Sequence, residues 1–492
     1  MFKSFKETIK HSAIYGLGNI SSKLVGFLLL PLYTDYLTTS EYGILAIIEI
    51  TGQILVSVFS LNIGTAMMRW SSEEKEESKK KSIIFTSLVA TLIIAGLLLI
   101  ILLPFSAKFS EIFFKTETFT DYFILLFLTS AFGIYNLIPL TIMRLREKSA
   151  LFATLTTLKF AVTLLFNIYF LAYLKMGIEG ILISQLIGQA LLFLFSIPIT
   201  LKNIVPKFKL SVLKEMINYG VPLVFSTIFA LAFTMSDRFI IKIISGEASV
   251  GLYSLGHKIA SVINMLILQS FQLGFLPIAY KKLGDPDEKR FFSKTLTYYT
   301  LLLVAAGLSI ALFGKELLEI LAQKASFRAA YSVIPIIAFA FVLKGIQYNF
   351  SLSFHYSKKT SYNALIVIIS AIVNVTLNIW FVTAYGYVGA AYAMLISIFV
   401  MMLLSYYFGK KVYPIPFEIK RITVIIFIGA VFFTFSFLIN DYSLFIRLIA
   451  KTAILFLFAL AVLKSKVFSD DELSGLKRGI KDFAALVRRK NN

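Results

Sequence analysis

Apolar stretches of about 20 residues recur along almost the whole chain, and short charged connectors separate them. A helix needs about 20 apolar residues to cross the hydrocarbon core of a bilayer, and about fourteen such stretches are present. Membrane β-barrel strands would instead alternate in segments of about ten residues. With 58% hydrophobic and only 15% charged residues, the chain is too apolar for an ordinary soluble protein. The sequence therefore predicts an all-α polytopic membrane protein that contacts the lipid bilayer along most of its length.

The charges of the connectors predict how these spans are oriented. The formal net charge of +21 is carried mainly by alternate connectors, such as the one that holds Lys79, Lys80 and Lys81, and not by one polar surface that could bind nucleic acid. Because Lys and Arg concentrate in cytoplasmic loops, both termini are expected in the cytoplasm. The predicted spans are residues 11–34, 41–68, 82–104, 119–142, 150–174, 177–200, 217–243, 250–280, 294–314, 329–353, 361–383, 387–409, 421–439 and 444–464.

Short motifs recur in the same order in the two halves, about two hundred residues apart. Gly43 in EYGIL corresponds to Gly251 in SVGLY, and the glycine pair that follows NIYF corresponds to the pair that follows NIWF. Internal repeats of this kind are common in transporters, so we predict two pseudo-symmetric six-helix bundles followed by two further helices. The predicted units are residues 1–204, 205–412, 413–466 and a basic amphipathic cytoplasmic tail, 467–492.

Several spans carry ionisable or amide side chains, which are costly in hydrocarbon. A charged group there costs roughly 2.5–3.5 kcal/mol on insertion scales, so such groups mark cavities or pathways. In span five, Lys159 lies at helical spacing with Thr156, Thr163 and Asn167, a polar stripe that indicates a face turned toward water. The candidate cavity residues are Asn19, Lys23, Asp35, Glu49, Lys159, Asp237, Arg238, His257, Lys258 and Lys344.

The sign of these charges favours an anionic substrate, because cations outnumber acids. Alternatives exist for individual residues: Arg238 can pair locally with Asp237, each lysine can reach toward an interface, and Glu49 can bind a proton or Na⁺ or neutralise a lysine. The chain has no cysteine and only three widely spaced histidines, so neither a metal site nor a catalytic site is expected.

Three stretches resemble bacterial polysaccharide-biosynthesis membrane proteins, the Wzx-like flippases of lipid-linked oligosaccharides in the MATE-like MOP superfamily. They are IYGLGNISSKLVGFLLLPLYTDYLTTSEYGILAI, SDRFIIKIISGEASVGLYSLGHKIA and the glycine pairs after NIYF and NIWF. The resemblance implies alternating access around a central cavity in the bacterial cytoplasmic membrane. It also implies an undecaprenyl-diphosphate-linked glycan as cargo, no catalysis, no cofactor, and coupling to Na⁺, H⁺ or the membrane potential. By position, Lys23, Asp35 and Arg238 resemble the charged groups of such flippases.

Two other functions remain open at this stage. A MATE-type exporter of cationic drugs would need acids to dominate the cavity, whereas cations dominate the spans here. A membrane-embedded glycan polymerase or ligase would usually have a sizeable outer loop, but the longest predicted outer connector, near residues 105–119, is short. Other polysaccharide-assembly proteins are candidate partners in the flippase interpretation.

Replacing Lys23 with Ala should abolish surface glycan while the protein still inserts in the membrane, because the variant lacks a mid-span cation for the substrate. Surface glycan is measured on cells that depend on this protein, and membrane fractions are probed for the variant. Normal surface glycan would remove Lys23 from the mechanism.

Overall fold

The computed structural model describes residues 27–435, 442–465 and 467, and this part of the chain is helical throughout, with no β-strand. Most of the first predicted span, including Asn19 and Lys23, lies outside the described residues, as does the predicted tail beyond residue 467. The helices are α1 (Leu30–Tyr36), α2 (Thr39–Phe59), α3 (Ile63–Glu73), α4 (Glu77–Leu102), α5 (Ser106–Phe114), α6 (Thr120–Leu145), α7 (Ser149–Asn167), α8 (Gly177–Lys202), α9 (Leu210–Ala260), α10 (Gln269–Lys282), α11 (Glu288–Leu321), α12 (Ile334–Tyr356), α13 (Ser361–Val412), α14 (Ile419–Phe435) and α15 (Leu444–Lys464).

Ten helical segments among the described residues are long and apolar enough to cross a membrane. The predicted all-helical membrane protein is therefore confirmed. Two of the ten segments contain the 51-residue α9 and the 52-residue α13. The second of these covers the two predicted spans 361–383 and 387–409, whereas α9 covers 217–243 and only the first part of 250–280.

The chain reverses direction inside α9 at Gly246, whose φ of 80° is in the left-handed region that favours glycine. Tyr253 donates a hydrogen bond to Asp237, sixteen residues earlier. A continuous helix would hold these residues roughly 24 Å apart. The two arms of α9 are therefore antiparallel neighbours, and the reversal returns the second arm to the level of Asp237.

The glycine pairs that the repeat matched have the same backbone geometry. Gly177 and Gly386 both have a φ of 59°. Three residues later, a Cβ on Gly180 would lie 2.7 Å from the Cβ of Phe170, and one on Gly389 would lie 2.0 Å from the main-chain oxygen of Phe381. In both halves the chain therefore turns back closely on the NIYF or NIWF segment before it. The boundaries of the two predicted bundles remain predictions.

Gly43 and Gly251, which the repeat also matched, face each other where α2 crosses the second arm of α9. A Cβ on Gly43 would lie 1.9 Å from the main-chain oxygen of Glu247, and one on Gly251 would lie 2.0 Å from that of Thr39. Each glycine therefore meets the residue four positions before the other. This reciprocal crossing, which we call the glycine crossing, lets the two backbones touch, as small residues do between membrane helices.

A second close approach lies just beyond the end of α2. A Cβ on Gly220 in α9 would lie 2.0 Å from the main-chain oxygen of Leu61. Leu61 and Asn62 have φ values of 47° and 51°, which are strained for residues other than glycine. The predicted span over residues 41–68 falls within one membrane-capable segment, Thr39–Glu73, but its helix is interrupted: α2 ends at Phe59 and α3 begins at Ile63.

Replacing Gly43 with Ala should destabilise the protein by roughly 1–3 kcal/mol, because the new methyl group overlaps the backbone of α9. Gly96→Ala in α4 is the matched control, since a Cβ there meets nothing within 4 Å. Thermal unfolding in detergent measures both variants. Equal midpoints for the two variants would contradict the close crossing.

Candidate central site

Two adjoining cavities lie among helices from both halves of the chain. The first, which we call the cationic cavity, has a volume of about 190 Å³ and is lined by Tyr42, Arg238, Ser254, His257, Lys258 and Ser261, among others. The second, the amide cavity, has a volume of about 270 Å³ and is lined by Thr129, Lys159, Thr163, Asn167, Gln185 and Gln189, among others. Tyr33, Glu49 and Lys258 line both cavities, which makes them neighbours in one site.

The position of Glu49 on α2 places this site between the two close approaches. Glu49 follows Gly43 of the glycine crossing by six residues, about 9 Å of helix, and precedes Phe59 at the end of α2 by ten residues, about 15 Å of helix, with Leu61 just beyond. The capping box formed by Thr38 and Glu41 fixes where α2 begins. The two halves of the chain thus touch on either side of the cavities.

Folding brings together five of the ten predicted site residues. Glu49, Arg238, His257 and Lys258 line the cationic cavity. Lys159 lines the amide cavity with Thr163 and Asn167, in line with the polar stripe predicted on span five. The chain reversal at Gly246 brings His257 and Lys258 back to the level of Arg238, so that all three line the same cavity.

Asp237 and Arg238 form the local pair that the sequence left open. Asp237 Oδ1 lies 2.7 Å from Arg238 Nη1, and both side chains are buried. The Tyr253 hydroxyl also donates to Asp237, and Arg238 Nη1 donates to the main-chain oxygen of Thr234. The Asp237 carboxylate is therefore held by Arg238 and Tyr253. The Nε donor of Arg238 has no partner among the described residues, and Arg238 lines the cationic cavity.

The remaining predicted residues lie apart from the cavities. Lys344 is not among the lining residues, but it is within electrostatic range of His257, whose ring packs 5.7 Å from that of Phe341. Asp35 is exposed and lines a separate space with Leu164 and Gln323. Asn19 and Lys23 lie outside the described residues.

The lysines of this region form no close ion pair among the described residues, although Lys258 lies within electrostatic range of Glu49. Within the described ranges, no carboxylate lies within 4 Å of the Nζ atoms of Lys159, Lys258 or Lys344. Among the described residues, Glu49 is the only acid that lines the two cavities, and its Oε1 accepts a hydrogen bond of 2.7 Å from Gln185 Nε2. The site therefore holds an excess of positive charge, which suits an anion.

Reasoning from the sequence missed several polar residues of the site. The Tyr33 hydroxyl donates to Asn167 Oδ1 at 2.9 Å, and Asn136 Nδ2 donates to the main-chain oxygen and Oε1 of Gln189. The spacing of Gln185 and Gln189, four residues apart in an otherwise apolar span, was a signal for one polar face of α8. In the described part of the chain, no group of three or more His, Cys, Asp or Glu residues could hold a metal ion.

Comparison with known protein families identifies the family of this chain. The model of the family described as "Polysaccharide biosynthesis protein" matches residues 8–281, which is more than half of the chain. The chain belongs to the polysaccharide biosynthesis protein family. The MatE family model also matches this polysaccharide biosynthesis protein, over residues 222–380.

One curated relative is the probable low-salt glycan biosynthesis flippase Agl15 of Haloferax volcanii. It is 24% identical over 250 residues, which are 50% of this chain and 52% of the relative. This polysaccharide biosynthesis protein therefore matches about half the length of the curated relative.

Solved structures of low sequence identity share the fold of this polysaccharide biosynthesis protein. The lipid II flippase MurJ in an inward closed conformation superposes with a TM-score of 0.75 and 16% identity, covering 93% of this chain and 100% of MurJ. A MOP-superfamily transporter from Pyrococcus furiosus, described by a reverse polarity of its binding pocket, gives a TM-score of 0.57 and 14% identity, covering 82% and 95% of the two chains. The protein thus has the fold of a multi-pass MOP-superfamily transporter.

Ser261→Cys, which lines the cationic cavity, should react with a small water-soluble thiosulfonate, because a thiol reacts as its thiolate and the thiolate needs water. The native chain has no cysteine, so the signal is specific. Leu302→Cys is the control, since Leu302 is exposed on the outside of an apolar span and should label at least about tenfold more slowly. Equal rates in membrane vesicles would argue against a hydrated cavity.

Proposed function

We propose that this protein is a flippase that moves an undecaprenyl-diphosphate-linked oligosaccharide from the inner to the outer leaflet of the bacterial cytoplasmic membrane. The excess of cations over acids among the described residues that line the two cavities carries the proposal: Lys159, Arg238 and Lys258 against Glu49. Membership of the polysaccharide biosynthesis family supports a glycan substrate. The flippase names of Agl15 and MurJ support lipid-linked cargo.

The charge of the site fits the diphosphate of such a lipid. An ionised lysine in low dielectric is costly without a close ion pair, and one acid, Glu49, does not balance Lys159, Lys258 and Arg238, so a bound anion would complete their environment. Charge-assisted hydrogen bonds from these ammonium groups and from Arg238 would replace the water that the diphosphate loses. The polyprenyl tail would stay in the lipid while the head group crosses.

Transport needs the two close approaches to open in turn. The glycine crossing and the contact between Gly220 and Leu61 lie on opposite sides of Glu49 along α2. If the basic connectors are cytoplasmic, opening at Gly220 admits substrate and opening at the glycine crossing releases it. An inside-negative potential favours outward movement of negative charge by about 2.3 kcal/mol per charge per 100 mV. This mechanism includes no covalent step, so the protein acts as a transporter and not as an enzyme.

The MatE match and the shared fold raise the alternative of a multidrug exporter. Such a protein would attract cationic drugs, which the lysines of both cavities would repel. Glu49, the one acid that lines them, already accepts a hydrogen bond from Gln185. The balance of charge therefore favours an anionic substrate.

Lys258→Met should reduce flipping of an undecaprenyl-diphosphate-linked sugar in proteoliposomes by about tenfold or more, because one charge-assisted hydrogen bond contributes roughly 1.5–3 kcal/mol. Lys258→Arg keeps the charge and should retain most of the activity. Lys108→Met is the control outside the site, since Lys108 is exposed and paired with Glu111.

A different pattern would reject the flippase. Full activity of Lys258→Met would show that the cavity does not bind the diphosphate. Drug resistance on overexpression, with normal surface glycan in a deletion strain, would favour the multidrug exporter.

A further inference from the structure

A third cavity, which we call the apolar cavity, lies within the C-terminal half of the chain. It shares no lining residue with the two central cavities. Its volume of about 670 Å³ is within the usual range of roughly 300–1,000 Å³ for ligand sites. Helices α11 to α14 surround it, and of its seventeen described lining residues only Tyr331, Ser332 and Tyr392 have a polar side-chain atom. This cavity therefore suits a hydrocarbon ligand.

The deep end of the apolar cavity is narrow, because α11 lies close to both α12 and α14 there. A Cβ on Gly307 of α11 would lie 2.6 Å from Cγ2 of Val342 in α12. A Cβ on Gly429 of α14 would lie 2.4 Å from Cγ1 of Val304 in α11. From Val304 to Ala311 the lining follows α11 over about 10 Å, whereas one leaflet of hydrocarbon is about 15 Å thick. The cavity thus extends over part of one leaflet.

The other end of the apolar cavity reaches the 3₁₀ helix Ala325–Val333, at the end of α11 away from the basic connector. Tyr331 and Ser332 line the cavity there, and the Tyr331 hydroxyl donates to the main-chain oxygen of Ala311. Arg328 precedes Tyr331 by three residues and so lies on the same face of the 3₁₀ helix. Arg328 is exposed and forms no ion pair among the described residues. A cation is therefore placed at the polar end of the cavity.

The side of the apolar cavity is open between α13 and α14. Tyr392 of α13 and Ala430 of α14 line the cavity, and both are exposed. Within a bilayer, the medium beside these helices is hydrocarbon. Water needs several polar partners to occupy a cavity, and this lining offers few. A lipid chain that enters from the side would supply the dispersion contacts that an empty space lacks.

We propose that the apolar cavity binds one acyl chain of a membrane phospholipid, whose phosphate lies at Arg328. This lipid is a bound component of the C-terminal half and not the transported substrate. The cavity is separate from the central site and extends over only part of one leaflet, whereas an undecaprenyl chain is much longer than an acyl chain. The chain would fill the space beside α14 and hold this helix against α11.

The first test measures lipid binding to the full-length protein in detergent by native mass spectrometry. The probe is phosphatidylglycerol with palmitoyl and oleoyl chains, and wild type should bind one molecule tightly. Ala430→Phe should weaken this binding by at least about tenfold, because the ring takes the place of the chain and removes its contacts. Ala430→Val should give a smaller loss. Ala453→Phe on α15 is the matched control, since Ala453 is exposed and lies outside the lining.

The second test separates the head group from the chains. Arg328→Gln should weaken phosphatidylglycerol binding by about three- to tenfold, the effect of one exposed charge-assisted hydrogen bond. The same change should leave binding of a diacylglycerol with identical chains unaltered, because that lipid has no phosphate. Lys175→Gln is the control, since Lys175 is an exposed cation at the same predicted side of the membrane in the other half of the chain.

Three results would overturn the acyl-chain site. One is that wild type binds no phosphatidylglycerol tightly, and another is that both Ala430 variants bind it as well as Ala453→Phe does. The third is that undecaprenyl phosphate displaces the phospholipid at equal concentration, which would assign the cavity to a polyprenyl chain. If Ala430→Phe does not fold, Ala430→Val and Arg328→Gln decide the question. The flippase proposal rests on the central site and is tested separately by Lys258→Met.

Discussion

The free-energy cost of placing an ionised side chain in a low-dielectric interior determines how the buried charges of this protein are arranged. Where charges serve packing, they are neutralised: the buried Lys451 in α15 lies 2.7 Å from Glu316 in α11, and Arg447 lies 3.0 Å from Glu319. These pairs attach the C-terminal helix to the rest of the protein. Around the central cavities the described residues form no such close pairs for Lys159 and Lys258, and the cations there outnumber the one lining acid, Glu49. That contrast is the basis for the proposed role of the central charges.

Glycine determines where the two halves meet. At the glycine crossing the absence of both side chains lets α2 and α9 touch through their backbones, and at Gly220 α9 meets the main chain of Leu61, just beyond the end of α2. Between these points lie Glu49 of α2 and Arg238 of α9, which line the cationic cavity.

The candidate site shows why some residues were recognisable from sequence and others were not. Charged side chains such as those of Lys159, Arg238 and Lys258 are unusual in apolar spans. The free-energy cost of burying them was enough to make them candidate site residues. Burying the neutral side chains of Gln185, Gln189 and Tyr33 costs less free energy, because each can form a hydrogen bond within the protein. Their presence in apolar spans was therefore a weaker indication of a site. Asp237 and Arg238 are adjacent in sequence, yet only the fold shows that Tyr253 also binds Asp237 and that Arg238 reaches the cavity.

The sequence by itself determined the helical membrane architecture, because hydrocarbon leaves the backbone few other ways to satisfy its hydrogen bonds. It also determined the excess of cations within the spans and the matched glycines, which are local properties of composition and spacing. Only the tertiary structure decided that Gly43 and Gly251 face each other, that Leu61 and Asn62 interrupt the second span, and that Asp35 lies apart from Glu49. These outcomes depend on packing between segments distant in the chain, and no local pattern encodes such contacts.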